Sequence, residues 1–240
     1  MKHIKQVVLA TALVALSSTV NAACSDIPYA TFQSAANSTL AAGITGGFGL
    51  NMWATFVDET GKVCAVVNTG AKGALAGNSQ WLGSRVISAQ KANTSNAFSL
   101  DGVAISSGAL YAPVQPGGSL FGLQESNPVD ANTAYQGTPA TYGTVGDPLV
   151  GKRVGGINVF GGGLPLYKNG KKIGAIGVSG DSSCTDHAFA WNIRSIFGLT
   201  PDTQVGKFEK LHLTNIFAGL GDHPDCGSPG SDRSGFVTAP

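Results

Sequence analysis

Charge is what this 240-residue chain has least of. Its 15 lysines and arginines and 14 acidic residues make up only 12% of it, about half the usual share. A charge so weak and so balanced excludes a basic field that could hold nucleic acid or an anionic membrane. The four cysteines include no C-x-x-C pair and no C-x-x-C-H, so paired-thiolate zinc sites and covalent c-type haem are not encoded. No Gly-Lys-Ser/Thr follows the glycine runs at 155–156 and 161–163, and the second run leads into a strand instead of opening a helix. That excludes a nucleotide phosphate loop and leaves a bulge or a close backbone contact. Heptads and internal repeats are absent. So is any apolar run that could span a bilayer; residues 7–16 are too short.

That short run has a use of its own. With Lys2 and Lys5 before it and Val20-Asn21-Ala22 after it, it reads as an export leader, residues 1–22, cleaved after Ala22. Removing Lys2 and Lys5 takes the 15 basic residues to 13, against 14 acidic ones. All four cysteines lie beyond the leader, and an even count in an oxidising compartment reads as two disulfides. Three pairings are possible. Cys24 and Cys226 sit near the ends, and Cys64 and Cys184 in or beside predicted strands, which favours Cys24–Cys64 and Cys184–Cys226. With Cys226 so used, His223 and two neighbouring carboxylates are too few for a closed zinc site.

The stretch 159–199 organises the rest. A short apolar strand at 164–167 meets Asn169-Gly170, a pair suited to a two-residue type I′ turn. The return strand, 173–178, is rich in glycine and alanine, so a helix, a neighbouring subunit or a flat ligand can approach its backbone closely. A corner at 179–181 leads to Ser182 or Ser183, candidate N-caps of a helix. In that helix Phe189, Ile193, Ile196 and Phe197 form one apolar stripe, and His187, Trp191 and Arg194 lie opposite. Gly177–Asp181 is out of register with G-x-S-x-G, and nothing else specifies a hydrolase triad.

Upstream, the pattern predicts a helix over 28–42, a hairpin of 52–57 with 62–68, a flexible loop at 70–78 and a long helix over 79–98 carrying Arg85 and Lys91. A short helix is expected over 103–111. The connection 112–150 is long and proline-rich, but Phe121, Tyr135 and Tyr142 imply that it packs on something, as a ligand lid, an oligomer contact or a surface excursion. One domain is expected over 23–205. A tail, 206–240, follows, with a possible strand at 208–217 and a mobile end from 227.

The sequence GGGLPL, a short turn and IGAIGVSG resembles the signature of the haem-binding GlcG/HbpS-like family, the haem-degrading domain related to the C-terminal domain of PduO proteins. The resemblance extends through 53–68, 84–98 and 117–163 and includes the Lys91-Ala92 step. It implies an α/β (α+β) fold, an antiparallel sheet with helices packed on one face, profilin-like. It also implies an exported haem- or tetrapyrrole-binding protein. Non-covalent haem needs an axial donor, an apolar slot and cations for the propionates. Here His187 with Trp191 would supply the first two, and Arg194, Arg85, Lys91 or Arg153 the third. Where the family's helix starts polar and acidic, this one has Cys184 and His187. Low charge and small-residue surface suggest a homo-oligomer. The competing readings are an enzyme acting on a small organic metabolite or on haem, with Lys91 and His187 as acid–base groups, and a ligand-free assembly module.

Overall fold

Two hairpins build the sheet. β1 (Trp53–Asp58) returns as β2 (Val63–Asn68), and the Asp58 carboxylate pins the turn by accepting from the backbone N–H of Thr60 at 2.9 Å and of Lys62 at 3.0 Å. β3 (Gly163–Lys168) returns as β4 (Lys171–Ser179). Its turn residues Asn169 and Gly170 take φ of 52° and 74°, the two positive angles a type I′ turn requires. β4 then pairs with β1, so the four strands run in the order β2-β1-β4-β3 with every pair antiparallel. This computed structural model describes residues 23–43, 46–206, 208–227 and 234–237; the leader expected at 1–22 lies outside them.

Both faces of β1 are buried, because helices cover both. α1 (Tyr29–Ala42) and α3 (Ser183–Ile196) lay Phe32, Ala36, Phe189 and Ile193 on Ala54, Phe56, Ile176 and Val178. α2 (Gly83–Phe98) lays Val86, Ala89 and Ala92 on the reverse face, against Trp53, Val57 and Ala175. The expected class therefore holds, an α+β domain with an antiparallel sheet, while the helices take two faces and not one. Alternate β-strand side chains point to opposite faces, and both sets here are apolar, so each needs a cover.

The small residues of β4 are there for α2. A Cβ on Gly177 would collide with the Ser88 carbonyl and the Ala92 amide nitrogen. That surface is occupied within the chain, and it is not available to a second subunit. The same contact is tied by Thr55 Oγ1 and Ser88 Oγ at 2.7 Å, with Ser88 also donating to the Arg85 carbonyl at 2.8 Å. Thr55→Val keeps the shape and removes one buried hydrogen bond. It should lower stability by about 1 kcal/mol, read as a shift in urea midpoint at unchanged slope.

Other boundaries differ locally. α2 begins at Gly83 because Gln80 is extended after the one-turn helix Ala76–Ser79. Short turns replace the helix expected at 103–111. Residues 208–217 add no strand to the main sheet: His212–Leu213 pairs in parallel with Asp222–His223 apart from it. The mobile end expected from 227 falls partly outside the described residues, but Gly235 and Phe236 are inside them and buried. No helix among the described residues is long and apolar enough to cross a membrane. Both disulfides take the favoured pairing, Cys24–Cys64 and Cys184–Cys226.

Candidate functional site

The corner after β4 is fixed by two carboxylates. Asp181 accepts from the backbone N–H of Phe48 at 2.9 Å, of Leu50 at 3.1 Å and of Ser182 at 2.6 Å, anchoring the loop that leads into β1. Ser182 caps α3 by accepting from the Thr185 N–H. Asp186, one turn in, lies 2.7 Å from Lys91 Nζ and accepts from the Asp181 N–H at 3.0 Å. Burial pushes its carboxyl up to about 6 even though Lys91 pulls the other way. Residues 161–163 thread between the two helices at this point. Gly161 meets the Ser183 carbonyl and His187, Gly162 meets Asp186 and Lys91, and Gly163 meets the Lys91 carbonyl and Ser107. They are close backbone contacts, as expected. Lys91 is committed to this pair and is not a free acid–base group.

The face of α3 opposite the apolar stripe is not open. His187 is fully buried, and its Nε2 donates to the Gly235 carbonyl at 3.0 Å. Its ring packs on Phe236 at 5.5 Å and Trp191 at 6.0 Å between centroids. Nδ1, buried too, has no partner among the described residues. Burial, with the cationic and histidine neighbours adding to it, holds this imidazole neutral down to about 3. Arg194 pairs with Glu209, with Nη2 to Oε1 at 3.0 Å, and its guanidinium stacks over the Trp191 ring at 4.6 Å. His223 accepts from the Gly161 N–H at 3.1 Å through Nε2 and donates from Nδ1 to the Pro224 carbonyl at 2.9 Å. Burial pushes it down to about 4. Its ring nitrogen lies within 4.8 Å of the sulfurs of Cys184 and Cys226, which are spent on each other.

The six expected ligand residues do not converge. His187, Trp191 and Arg194 form one cluster, with Lys91 behind it. Arg85 lies in the α2 layer, buried against Asp147 and the Ala134 carbonyl and stacked on Tyr142 at 3.9 Å. Arg153 is exposed and donates to Thr60 at 2.7–2.9 Å. Asp147, Asp186 and Glu209, the anions that neutralise the buried cations, escaped the sequence reading. Each is distant in the chain from its partner, so no local periodicity marks it.

The connection 112–150 splits in function. Tyr142 and Leu149 complete the core behind α2, while its start walls a groove of about 740 Å³ closed on the other side by 217–220. Phe98, Ile105, Leu110, Leu120, Phe217 and Leu220 give it an apolar lining. Tyr111 stands behind that wall, 5.1 Å from Phe217 and 5.5 Å from His223 between ring centroids. The volume falls within the range of small-molecule sites. No imidazole, carboxylate, amine, phenol or thiol is among its described lining residues.

Residues 30–193 match the family model described as the haem degrading protein HbpS-like. The chain belongs to the HbpS-like family. An uncharacterised 15.0 kDa protein of Citrobacter freundii, from the dhaT–dhaS intergenic region, is 38% identical over 77 residues, 32% of this chain and 36% of that protein. The chain thus spans about a third of the length of the curated relative it matches. Among solved structures, the Klebsiella pneumoniae protein ORFY is 22% identical with a TM-score of 0.47, over 72% of this chain and 89% of that one. A PduOC–haem complex is 21% identical with a TM-score of 0.45, over 70% and 90%. A double mutant of Streptomyces reticuli HbpS is 14% identical with a TM-score of 0.42, over 80% and 98%. In this HbpS-like chain the match stops inside α3. Glu209, His223, Cys226, Gly235 and Phe236, which cover the His187 face, all lie beyond it.

Proposed function

We propose that this chain is an exported haem- or tetrapyrrole-binding protein, non-enzymatic or only incidentally reactive, that works as a homo-oligomer. Membership of the HbpS-like family over residues 30–193 is the observation that carries the reading. The apolar groove between 112–120 and 217–220 supports it as an apolar slot with room for a flat ring, while its described lining carries no cation to meet the propionates. The leader at 1–22 and the two disulfides support export. Sedimentation at the mass of one chain would count against the oligomer.

The test is a pair of absorbance titrations of the disulfide-intact protein, with hemin and with metal-free protoporphyrin. The groove's described lining has no imidazole, thiol or phenol to ligate iron, so both should bind saturably and with similar affinity. Phe217→Ala should weaken both by roughly 5- to 30-fold, the loss of about 1–2 kcal/mol of apolar contact. Non-saturating uptake, equal in wild type and Phe217→Ala, would remove the reading.

A further inference from the structure

The walls of the groove between 112–120 and 217–220 have engaged most of their hydrogen-bonding groups with one another. On one side the Gln115 carbonyl accepts from the Gly118 N–H at 2.8 Å, the Pro113 carbonyl from the Leu120 N–H at 2.9 Å and the Ala112 carbonyl from the Gln115 N–H at 3.1 Å. Pro113 and Pro116 have no N–H at all. The Gln115 side chain donates to the Tyr111 carbonyl at 3.0 Å. On the other side the Asp222 carboxylate, which is not part of the lining, takes the Ala218 and Gly219 N–H groups at 2.8 and 2.9 Å. The Gly219 carbonyl accepts from the Asp222 N–H at 3.2 Å.

What these turns present to the groove is mainly hydrocarbon, and it is held in place. Leu110 is buried in a small core with Phe98, Ile105 and Leu120 packed around it. Phe217, on the opposite wall, leans on Tyr111, which also packs on Phe160 at 5.7 Å between centroids. No lysine, arginine, aspartate, glutamate or histidine is among the described lining residues, and the polar side chains there are Gln115 and exposed Ser119. A charged group brought against such walls loses water and gains no partner. Apolar surface gains contact with both walls.

We infer that this groove is a site for an uncharged apolar small molecule and that it discriminates against a charged molecule of the same shape. A tetrapyrrole seated there would keep its propionates in solvent, so its ring alone would be recognised. The inference rests on the groove being a ligand seat, as proposed above, and not on that ligand being haem.

The test uses three fluorescent probes built on one flat ring: neutral 1-pyrenemethanol, anionic 1-pyrenecarboxylate and cationic 1-pyrenemethylamine, each titrated at pH 7 into the disulfide-intact protein. Pyrenemethanol should bind saturably and at least roughly 5-fold more tightly than either ion. Its affinity should stay within about 2-fold between about 0.05 and 0.5 M salt. Phe217→Ala should weaken it by roughly 5- to 30-fold. Ser119→Lys puts a cation on the lining at an exposed position and leaves the core untouched. It should tighten pyrenecarboxylate by roughly 3- to 10-fold and change pyrenemethanol by less than about 2-fold, and it serves even if Phe217→Ala fails to fold. Either ion binding as tightly as the alcohol in the wild type would overturn the inference, and so would alcohol binding unchanged in folded Phe217→Ala or pyrenecarboxylate binding unchanged in Ser119→Lys. A dimer in sedimentation that excludes pyrenemethanol and dissociates in Phe217→Ala would overturn it in favour of a second copy of the chain in the groove. Hemin is titrated alongside. Saturable pyrenemethanol binding without hemin uptake would support the site and remove the haem reading alone, whereas hemin uptake without pyrenemethanol binding would overturn the site.

Discussion

Glu209→Ala should cost this protein about 3–5 kcal/mol, because it leaves a buried arginine without its carboxylate. Arg194 is entirely buried and Glu209 nearly so. Removing the carboxylate strands a guanidinium in low dielectric with the Pro165 carbonyl at 3.1 Å and the Trp191 face as its remaining partners. Its Nε already lacks a partner among the described residues. Burial pushes the Glu209 carboxyl above its usual range in spite of Arg194, the sign that desolvation weighs heavily on this pair. The large loss on truncation therefore does not mean that the pair is strongly stabilising. Arg194→Met/Glu209→Leu, which removes both charges and keeps the volume, should recover most of the loss. Urea unfolding with disulfides intact checks both. A loss below about 1 kcal/mol for Glu209→Ala would mean that water reaches Arg194 and that the C-terminal segment does not close on α3.

The sequence disclosed its local chemistry well. Asn169-Gly170 marked a turn whose two positive φ angles only such residues take easily. The alternating apolar residues of 52–57 marked β1, and the positions of the cysteines favoured the disulfides that form. What stayed hidden was everything decided by a distant segment. His187, Trp191 and Arg194 looked like an open polar face because a helix's polar side normally meets water. Here a tail from beyond 206 brings its own carboxylate, carbonyl and phenylalanine to that side. Arg85 and Lys91 read as free cations for a ligand for the same reason, since Asp147 and Asp186 lie 62 and 95 residues away. Gly177 and the glycines at 161–163 were legible as places of close approach, but not what approaches them. The start of α2 was misplaced because the one-turn helix Ala76–Ser79 and the extended Gln80 are set by local backbone geometry that a hydrophobic stripe does not register.

Acid should loosen the same region before it reaches the rest. His187 and His223 stay neutral in the fold down to about 3 and about 4, because burial opposes their charged forms. In the unfolded chain each takes a proton near 6.5. Between those limits the unfolded state binds more protons, so stability is full above about pH 6.5 and falls as pH drops. By pH 4.5 each histidine withdraws roughly 2–3 kcal/mol. Asp186 acts in the opposite sense. Its folded value of about 6 lies above the ordinary 3.8, so the fold gains about 2 kcal/mol from its protonation over the same range. Glu209, also raised by burial, adds to that offset. The histidines outweigh both, for a net loss of about 2–3 kcal/mol between pH 7 and 4.5. Asp58, Asp101, Asp130 and Asp222 are lowered, so their contributions are lost only below the ordinary carboxylate range and do not blur this window. Urea midpoints at pH 7.0, 6.0, 5.0 and 4.5 should therefore decline, and the decline should largely vanish in His187→Gln/His223→Gln, whose stability at pH 7 is lower to begin with. A wild-type profile flat across this range, or an equal slope in the double variant, would show that water or protons already reach both rings in the native fold.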